Sequence, residues 1–183
     1  MAPSSGGLML VGCGKMGGAL LSGWLASAST PRPIHVVEPN ADGVAAFQGK
    51  TGVTCVATAA ELPSGVAPEV IVFATKPQVM DEVAPAYRRF VARGSLFISV
   101  AAGRTLGYFA GHLGDNAAII RTMPNTPAQV GRGITVCCAN RHVSAAQRRL
   151  ADSLMSATGE VGWVEDEALI DAVTAVSGSG PAY

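Results

Sequence analysis

An α/β domain built on a doubly wound sheet is the fold class this sequence predicts, and three observations carry that expectation. Short β-branched runs alternate with longer alanine-rich segments along most of the 183 residues, the pattern of βαβ units around a buried parallel sheet. A glycine-rich turn, residues 12–17, lies between the first apolar run and an apolar helical stretch. The composition, 49% hydrophobic with 14% charged residues, supports a sizeable core in one domain, or in one domain plus a fragment of another.

Taken in order, the apolar runs predict strands over Leu8–Val11, Ile34–Val37, Val53–Val56, Val70–Phe73, Leu96–Val100, Ala118–Arg121, Ile134–Cys138 and Val161–Val164. The segments between them predict helices over Met16–Ala28, Ala41–Gln48, Gln78–Val91, Leu106–His112 and Ser144–Ala157. Pro77 fixes the chain at the start of the third of these. After Val164 the pattern changes. A helix over Glu167–Val176 is opened by Asp166 as N-cap, a loop follows over Ser177–Gly180, and Pro181 stands where a further helix would begin. Three residues cannot sustain a helix alone, so the expected organisation is a dinucleotide-binding domain over 1–165 and the start of an all-helical domain over 166–183. With its helical partners missing, the segment from Glu167 to Tyr183 is expected to be weakly anchored in a monomer.

Composition excludes several functions. Thirteen basic and thirteen acidic residues leave no electrostatic footprint for a nucleic-acid backbone, and 5% aromatic residues give no stacking platform for single strands. Met1 to Gly7 lack a basic n-region and a cleavage signature, which implies a cytoplasmic chain. The most apolar stretch, Leu8 to Ala28, is broken by Lys15 and clustered glycines, unlike a membrane span. Cys13, Cys55, Cys137 and Cys138 have no C-x-x-C spacing and read as reduced core thiols. No metal-ligand cluster and no nucleophile–base–acid set is visible: His35, His112 and His142 are scattered.

The chemistry concentrates at strand ends. Gly12-Cys13-Gly14-Lys15-Met16-Gly17 matches G-x-G-x-x-G between a strand and a helix, the context in which that pattern has a mechanism and defines a Rossmann-type fold. Gly12 would permit the tight turn, Gly14 the approach of a pyrophosphate, and Gly17 close packing of helix on strand. The helix N-terminus would then face the phosphates with unpaired N–H groups and a positive dipole end. Glu38 ends the second strand about twenty residues on, where a carboxylate accepts hydrogen bonds from the ribose hydroxyls of NAD and repels the extra phosphate of NADP. No arginine follows it, although Asn40 or a neighbouring loop leaves room for a phosphate, and a merely solvated carboxylate is the competing reading. Ala74-Thr75-Lys76-Pro77 and Ala101-Ala102-Gly103 end two further strands with small residues that would admit a flat ring. Met123-Pro124-Asn125-Thr126-Pro127 uses two prolines to hold polar groups rigidly, and Ser177-Gly178-Ser179-Gly180-Pro181 offers hydroxyls and N–H groups suited to a carboxylate. Structural turns compete with both readings.

Together these runs, with Asp171-Ala172-Val173-Thr174-Ala175-Val176 leading into Ser177 and ending at Ala182-Tyr183, resemble the pyrroline-5-carboxylate reductases. The resemblance covers nearly the whole chain. It implies a dinucleotide-binding domain followed by a helical domain that forms a dimer and larger rings, and NAD(P)H-dependent reduction of 1-pyrroline-5-carboxylate to proline. The implied hydride transfer needs no protein nucleophile, and no catalytic side chain is singled out. It implies cofactor roles for Gly12, Cys13, Gly14, Lys15, Met16, Gly17, Glu38, Asn40, Ala74, Thr75, Lys76, Pro77, Ala101, Ala102 and Gly103. Asn125, Thr126, Ser177, Gly178, Ser179 and Gly180 fall at the substrate end. Lys76 reads as a cofactor hydrogen bond, since no acid partner is evident. The sequence departs from the family in stopping at Tyr183 and in carrying Glu38 where NADP-preferring relatives have a small or polar residue. Two alternatives stay open: another small-substrate dehydrogenase such as a β-hydroxyacid type, for which the needed lysine is not visible, and a dinucleotide-sensing module without chemistry.

Overall fold

The computed structural model describes residues 6–125, 127 and 130–177. Eight strands form one sheet in the order β3-β2-β1-β4-β5-β6-β7-β8. The strands β1 (Leu8–Val11), β2 (Ile34–Val37), β3 (Val53–Val56), β4 (Val70–Phe73), β5 (Leu96–Ser99) and the start of β6 (Ala118–Pro124) are parallel. The expected parallel sheet is therefore extended into a mixed one: β7 (Gly133–Ala139) runs antiparallel to β6, and β8 (Gly159–Trp163) parallel to β7. The strand order reverses between β1 and β4, which places the topological switch point, where such sheets bind ligands, beside the glycine turn.

Strands buried on both faces require a hydrophobic layer on each side. On one face α1 (Lys15–Ala26) and α5 (Ala145–Met155) pack Leu20, Leu21, Trp24, Leu154 and Met155 against Leu10, Val36, Val72 and Ile98. Trp24 is fully buried, and its indole N–H donates to Leu154 O at 2.8 Å, so this large side chain leaves no unpaired polar atom. The other face carries Tyr87, Phe90, Phe109 and Leu113 against Met9, Ile71, Phe73 and Phe97. Phe73 is the aromatic hub there, edge-on to Tyr87 at 5.4 Å and stacked with Phe109 at 5.7 Å.

Several element boundaries move for identifiable reasons. The expected helix over Gln78–Val91 breaks into a 3₁₀ turn at Pro77–Val79, the short α3 (Met80–Val83) and a 3₁₀ helix over Ala84–Arg93. Pro85 has no N–H to give the preceding turn, so regular α geometry cannot pass it. The helix expected over Ala41–Gln48 is α only over Ala41–Val44 (α2), and the amides of Phe47 and Gln48 both turn back to Val44 O. β6 runs to Pro124, beyond Arg121, because β7 pairs with Thr122, Met123 and Pro124 after the partnership with β5 has ended at Ser99. A proline is tolerated where a strand is paired on one side only. β8 starts two residues before the expected Val161, since Gly159, at φ +140°, sits so close to Gly133 that a side chain there would collide with it. α4 (Leu106–Leu113) and α6 (Ala168–Ser177) match their expected helices within one residue at each end.

The expectation of a weakly anchored tail is corrected for its first part. Glu167 and Asp171 pair with Arg121, Ile170 is fully buried, and α6 packs against β6 and β7 through a cluster of Val136, Cys138 and Ile170. Asp166 does cap the helix, accepting from the Ala168 N–H at 3.0 Å.

Candidate functional site: the carboxyl edge of the sheet

The carboxyl ends of β1, β4 and β5 bring together three of the segments expected to line a cofactor. In the first, the glycines play different parts. Gly12 adopts φ +92°, and a Cβ there would stand 2.8 Å from the Ala74 backbone. Gly17 is pressed against the Gly12 carbonyl with no room for a side chain. Gly14, at φ −73°, has open space where a Cβ would be. Gly12 and Gly17 therefore close the turn, while Gly14 keeps its outer surface clear. Gly14 is also the N-cap of α1 and offers no side-chain acceptor, and no acidic residue sits in the first turn, where Lys15 and Met16 stand instead. Among the described residues no side chain accepts from the first N–H groups of α1 as a cap, a donor set that fits a pyrophosphate.

Glu38 is tied into this turn rather than only solvated. Its carboxylate accepts from the Cys13 N–H at 2.7 Å and from the Asn40 N–H at 2.9 Å. Asn40 turns its own side-chain oxygen to the Asp42 N–H and caps α2, so its side chain is spent on that helix start. Glu38 also borders, with Pro39, Val44, Cys55 and Glu61, a concavity of about 160 Å³ at the ends of β2 and β3. Glu61 is held there by Thr58, whose hydroxyl donates to it at 2.9 Å. The concavity thus presents two carboxylates. The Cys13 thiol is pushed up to about 11 by burial and then by the Glu38 charge, which keeps it neutral and unreactive at neutral pH.

At the end of β4, Ala74 and Thr75 are partly buried and Lys76 is exposed. The Thr75 hydroxyl points to Met80 Sδ at 3.7 Å. Pro77 O accepts from both Nε and Nη2 of Arg104, at 3.1 and 2.7 Å, which ties the β4 exit to the β5 exit. Arg104 in turn lies over the Tyr108 ring at 4.6 Å, and Tyr108 donates to Asp81 at 2.6 Å. At the end of β5, Ala101 is buried, while Ala102 and Gly103 are exposed, with Gly103 at φ +71° facing open space. Ser99 fixes this exit: its hydroxyl accepts from the Ala101 N–H at 3.1 Å, and its carbonyl accepts from Thr122 at 2.9 Å.

On the substrate side, Asn125 is engaged with β7 rather than free. Its N–H donates to Ile134 O at 3.2 Å, and its side-chain oxygen accepts from the Ile134 N–H at 2.9 Å. Ser177 is the last residue of α6. Thr126, Gly178, Ser179 and Gly180 lie outside the described residues. Arg104, Ser99 and Arg121 are polar groups whose bonds tie neighbouring elements together at this edge and that reading the sequence overlooked. A serine and an arginine inside the apolar strand runs Leu96–Ser99 and Ala118–Arg121 were the available signal. Among the described residues no group of three His, Cys, Asp or Glu side chains could hold a metal ion, and no helix is long and apolar enough to cross a membrane.

A strand–glycine turn–helix at the switch point of an eight-stranded sheet is the architecture of the dinucleotide-dependent oxidoreductases. The family model described as NADP oxidoreductase, coenzyme F420-dependent, matches residues 8–103, more than half of the chain, and the chain belongs to that family. Within it the chain is similar to pyrroline-5-carboxylate reductases. It is 38% identical to the one from Pseudomonas aeruginosa over 96% of its own length, and spans 64% of the length of that relative. The structure of the Coxiella burnetii pyrroline-5-carboxylate reductase superposes with a TM-score of 0.89 at 33% identity, covering 98% of this chain and 66% of that one. The Plasmodium falciparum pyrroline carboxylate reductase with NADP bound superposes at 0.79 and 26% identity, covering 97% of this chain and 64% of the other.

Proposed function

We propose that this chain carries the dinucleotide-binding part of an enzyme that reduces 1-pyrroline-5-carboxylate to L-proline with NAD(P)H, the last step of proline biosynthesis. The observation that carries the reading is the glycine turn, closed at Gly12 and Gly17 and open at Gly14, at the switch point of the sheet. The relatives named for that reaction support it.

The residues fit a dinucleotide. Gly12, Cys13, Gly14, Lys15, Met16 and Gly17 hold the pyrophosphate through the α1 N-terminus. Glu38 accepts from the adenosine ribose with its remaining lone pairs, beside Asn40. Ala74, Thr75, Lys76 and Pro77, with Ala101, Ala102 and Gly103, line the rest of the cofactor. Asn125, Thr126, Ser177, Gly178, Ser179 and Gly180 surround the nicotinamide and the substrate carboxylate. When bound, the reduced dinucleotide supplies a hydride, and a protonated cyclic imine is electrophilic enough to accept it at carbon. The task left to the protein is to hold two rings in contact and exclude water, an orientation effect of roughly 7–11 kcal/mol in favourable cases. Residues 1–165 form the dinucleotide-binding domain and 166–183 begin the helical domain, through which the whole protein forms a homo-oligomer in the cytoplasm.

The carboxylates of Glu38 and Glu61 around one concavity oppose a ribose phosphate, so NADH is the preferred donor. Calorimetric titration with NADH and NADPH tests this: NADH binds more tightly, and Glu38→Ser narrows or reverses the ratio. Tighter NADPH binding that Glu38→Ser leaves unchanged would overturn the preference. The reaction itself is tested by turnover of the whole protein, and reduction of a hydroxyacid's keto form without reduction of the cyclic imine would sink it.

A further inference from the structure

We propose that Arg121 is a positioning residue for the substrate side: its buried guanidinium sets α6 in one register against β6, and so places Ser177 relative to Asn125. This rests on the reading of those two segments as the substrate end.

Arg121 lies in the middle of β6 with its side chain only 3% exposed. Its Nη1 stands 3.1 Å from Glu167 Oε1 and its Nη2 2.6 Å from Asp171 Oδ1. The two carboxylates are four residues apart, Glu167 just before α6 and Asp171 in its first turn, so one planar guanidinium grips the start of the helix at two points. Glu167 Oε1 also accepts from the Leu106 N–H at 2.7 Å, at the first turn of α4. One buried cation therefore joins β6, α4 and α6.

Apolar contact alone would hold α6 to the sheet. Ile170 is fully buried against Val136 and Cys138, with Leu106, Met123 and Val173 around them. A buried ion pair is a costly way to add attraction, and similar-sized apolar side chains often serve stability as well or better. What the ion pairs add is direction. Sliding or rotating α6 by one residue turns its faces by about 100° and separates both carboxylates from a guanidinium that the strand holds in place. The pairs fix register where the apolar cluster would tolerate slippage.

Both ends of this device lead to the substrate side. Three residues past Arg121, β6 ends at Pro124 and gives way to Asn125, which is held to Ile134 in both directions. Thr122, next to Arg121, is anchored to Ser99 O. α6 runs from the clamp to its last residue, Ser177. Two strands, β4 and β5, separate the cofactor turn at β1 from the clamp on β6, and among the described residues no hydrogen bond or ion pair joins them, so the two halves of the site are separately adjustable.

The test uses the whole protein with Arg121→Lys, whose single ammonium cannot span two carboxylates, and with Asp171→Asn and Asp171→Glu on the exposed partner. Arg121→Lys and Asp171→Asn raise the KM for pyrroline-5-carboxylate by about tenfold or more, with the dinucleotide Kd changed less than about twofold, and Asp171→Glu restores most of the loss. Hydrogen exchange speeds up over residues 167–177 and stays unchanged over β1 to β5. If Arg121→Lys fails to fold, the two Asp171 variants decide. An unchanged KM, or a dinucleotide Kd that weakens in step with it, would overturn the proposal. Lack of imine turnover by the unmodified protein would instead defeat the functional reading, and unaltered exchange over 167–177 in the variants would still defeat the clamp.

Discussion

Gly12 and Gly14 are two residues apart and look equivalent in the motif, yet they predict opposite outcomes. At Gly12 a side chain meets both a left-handed φ and the Ala74 backbone, so Gly12→Ala costs about 2 kcal/mol or more of stability. At Gly14 the backbone is ordinary and the space empty. Gly14→Ala therefore loses only the cap preference, about 0.5 kcal/mol and less than Gly12→Ala, while its dinucleotide Kd weakens by about tenfold, the loss of close approach to a pyrophosphate. Denaturation and calorimetry on the two variants separate folding from binding. Equal loss of stability in both would contradict the division of labour drawn here. Glu38 illustrates another limit of motif reading. Its position and charge were legible, but the Cys13 N–H it accepts from was not, because that contact depends on where β2 ends relative to the β1–α1 turn.

At the scale of elements, strands were read closely and helices less so. Four-residue apolar runs such as Leu8–Val11 and Val70–Phe73 have one way to be buried on both faces, whereas helix geometry answers to local chemistry that periodicity overlooks, as at Pro85. α5 shows that chemistry at its strongest. The Ser144 hydroxyl accepts from the Gln147 N–H at 3.2 Å, and Gln147 Oε1 accepts from the Ser144 N–H at 2.9 Å. Gln147 also donates to Gly94 O at 3.1 Å, joining this cap to the turn before β5. Ser144→Ala is expected to lower stability by about 1 kcal/mol, read as a shift in the denaturant midpoint with an unchanged slope. A negligible shift would mean that packing of Leu154 and Met155 alone sets the helix start.

For the molecule as a whole, the buried thiols couple stability to alkaline pH. Burial pushes Cys13 up to about 11 and Cys137 up to about 12 from an ordinary value of 9.0. The folded state thus holds these protons where the unfolded state releases them. Their contribution is complete below pH 9 and is lost as pH rises through 11 to 12. Urea midpoints should fall between pH 9 and 11, and less steeply in Cys137→Ala. Parallel profiles for the two proteins would show that Cys137 is not part of the coupling. All four cysteines are free, Cys13, Cys137 and Cys138 buried and Cys55 partly buried, at positions spread over β3, β7 and the glycine turn.

The alternation of apolar runs and helical segments, the glycine turn and the acidic residue after β2 were enough to define a doubly wound sheet and its ligand edge, because each depends on neighbours close along the chain. Pairings between distant segments were not legible. The antiparallel return of β7, the bridge from Arg104 to the β4 exit and the seating of α6 on Arg121 each join residues 11 to 50 positions apart. No local propensity encodes them; they arise when packing the two faces of the sheet brings a buried polar group to a site where it must find a partner or lose its hydration uncompensated. For that reason Arg121 passed in the sequence as one more strand residue, and in the folded chain it joins β6, α4 and α6.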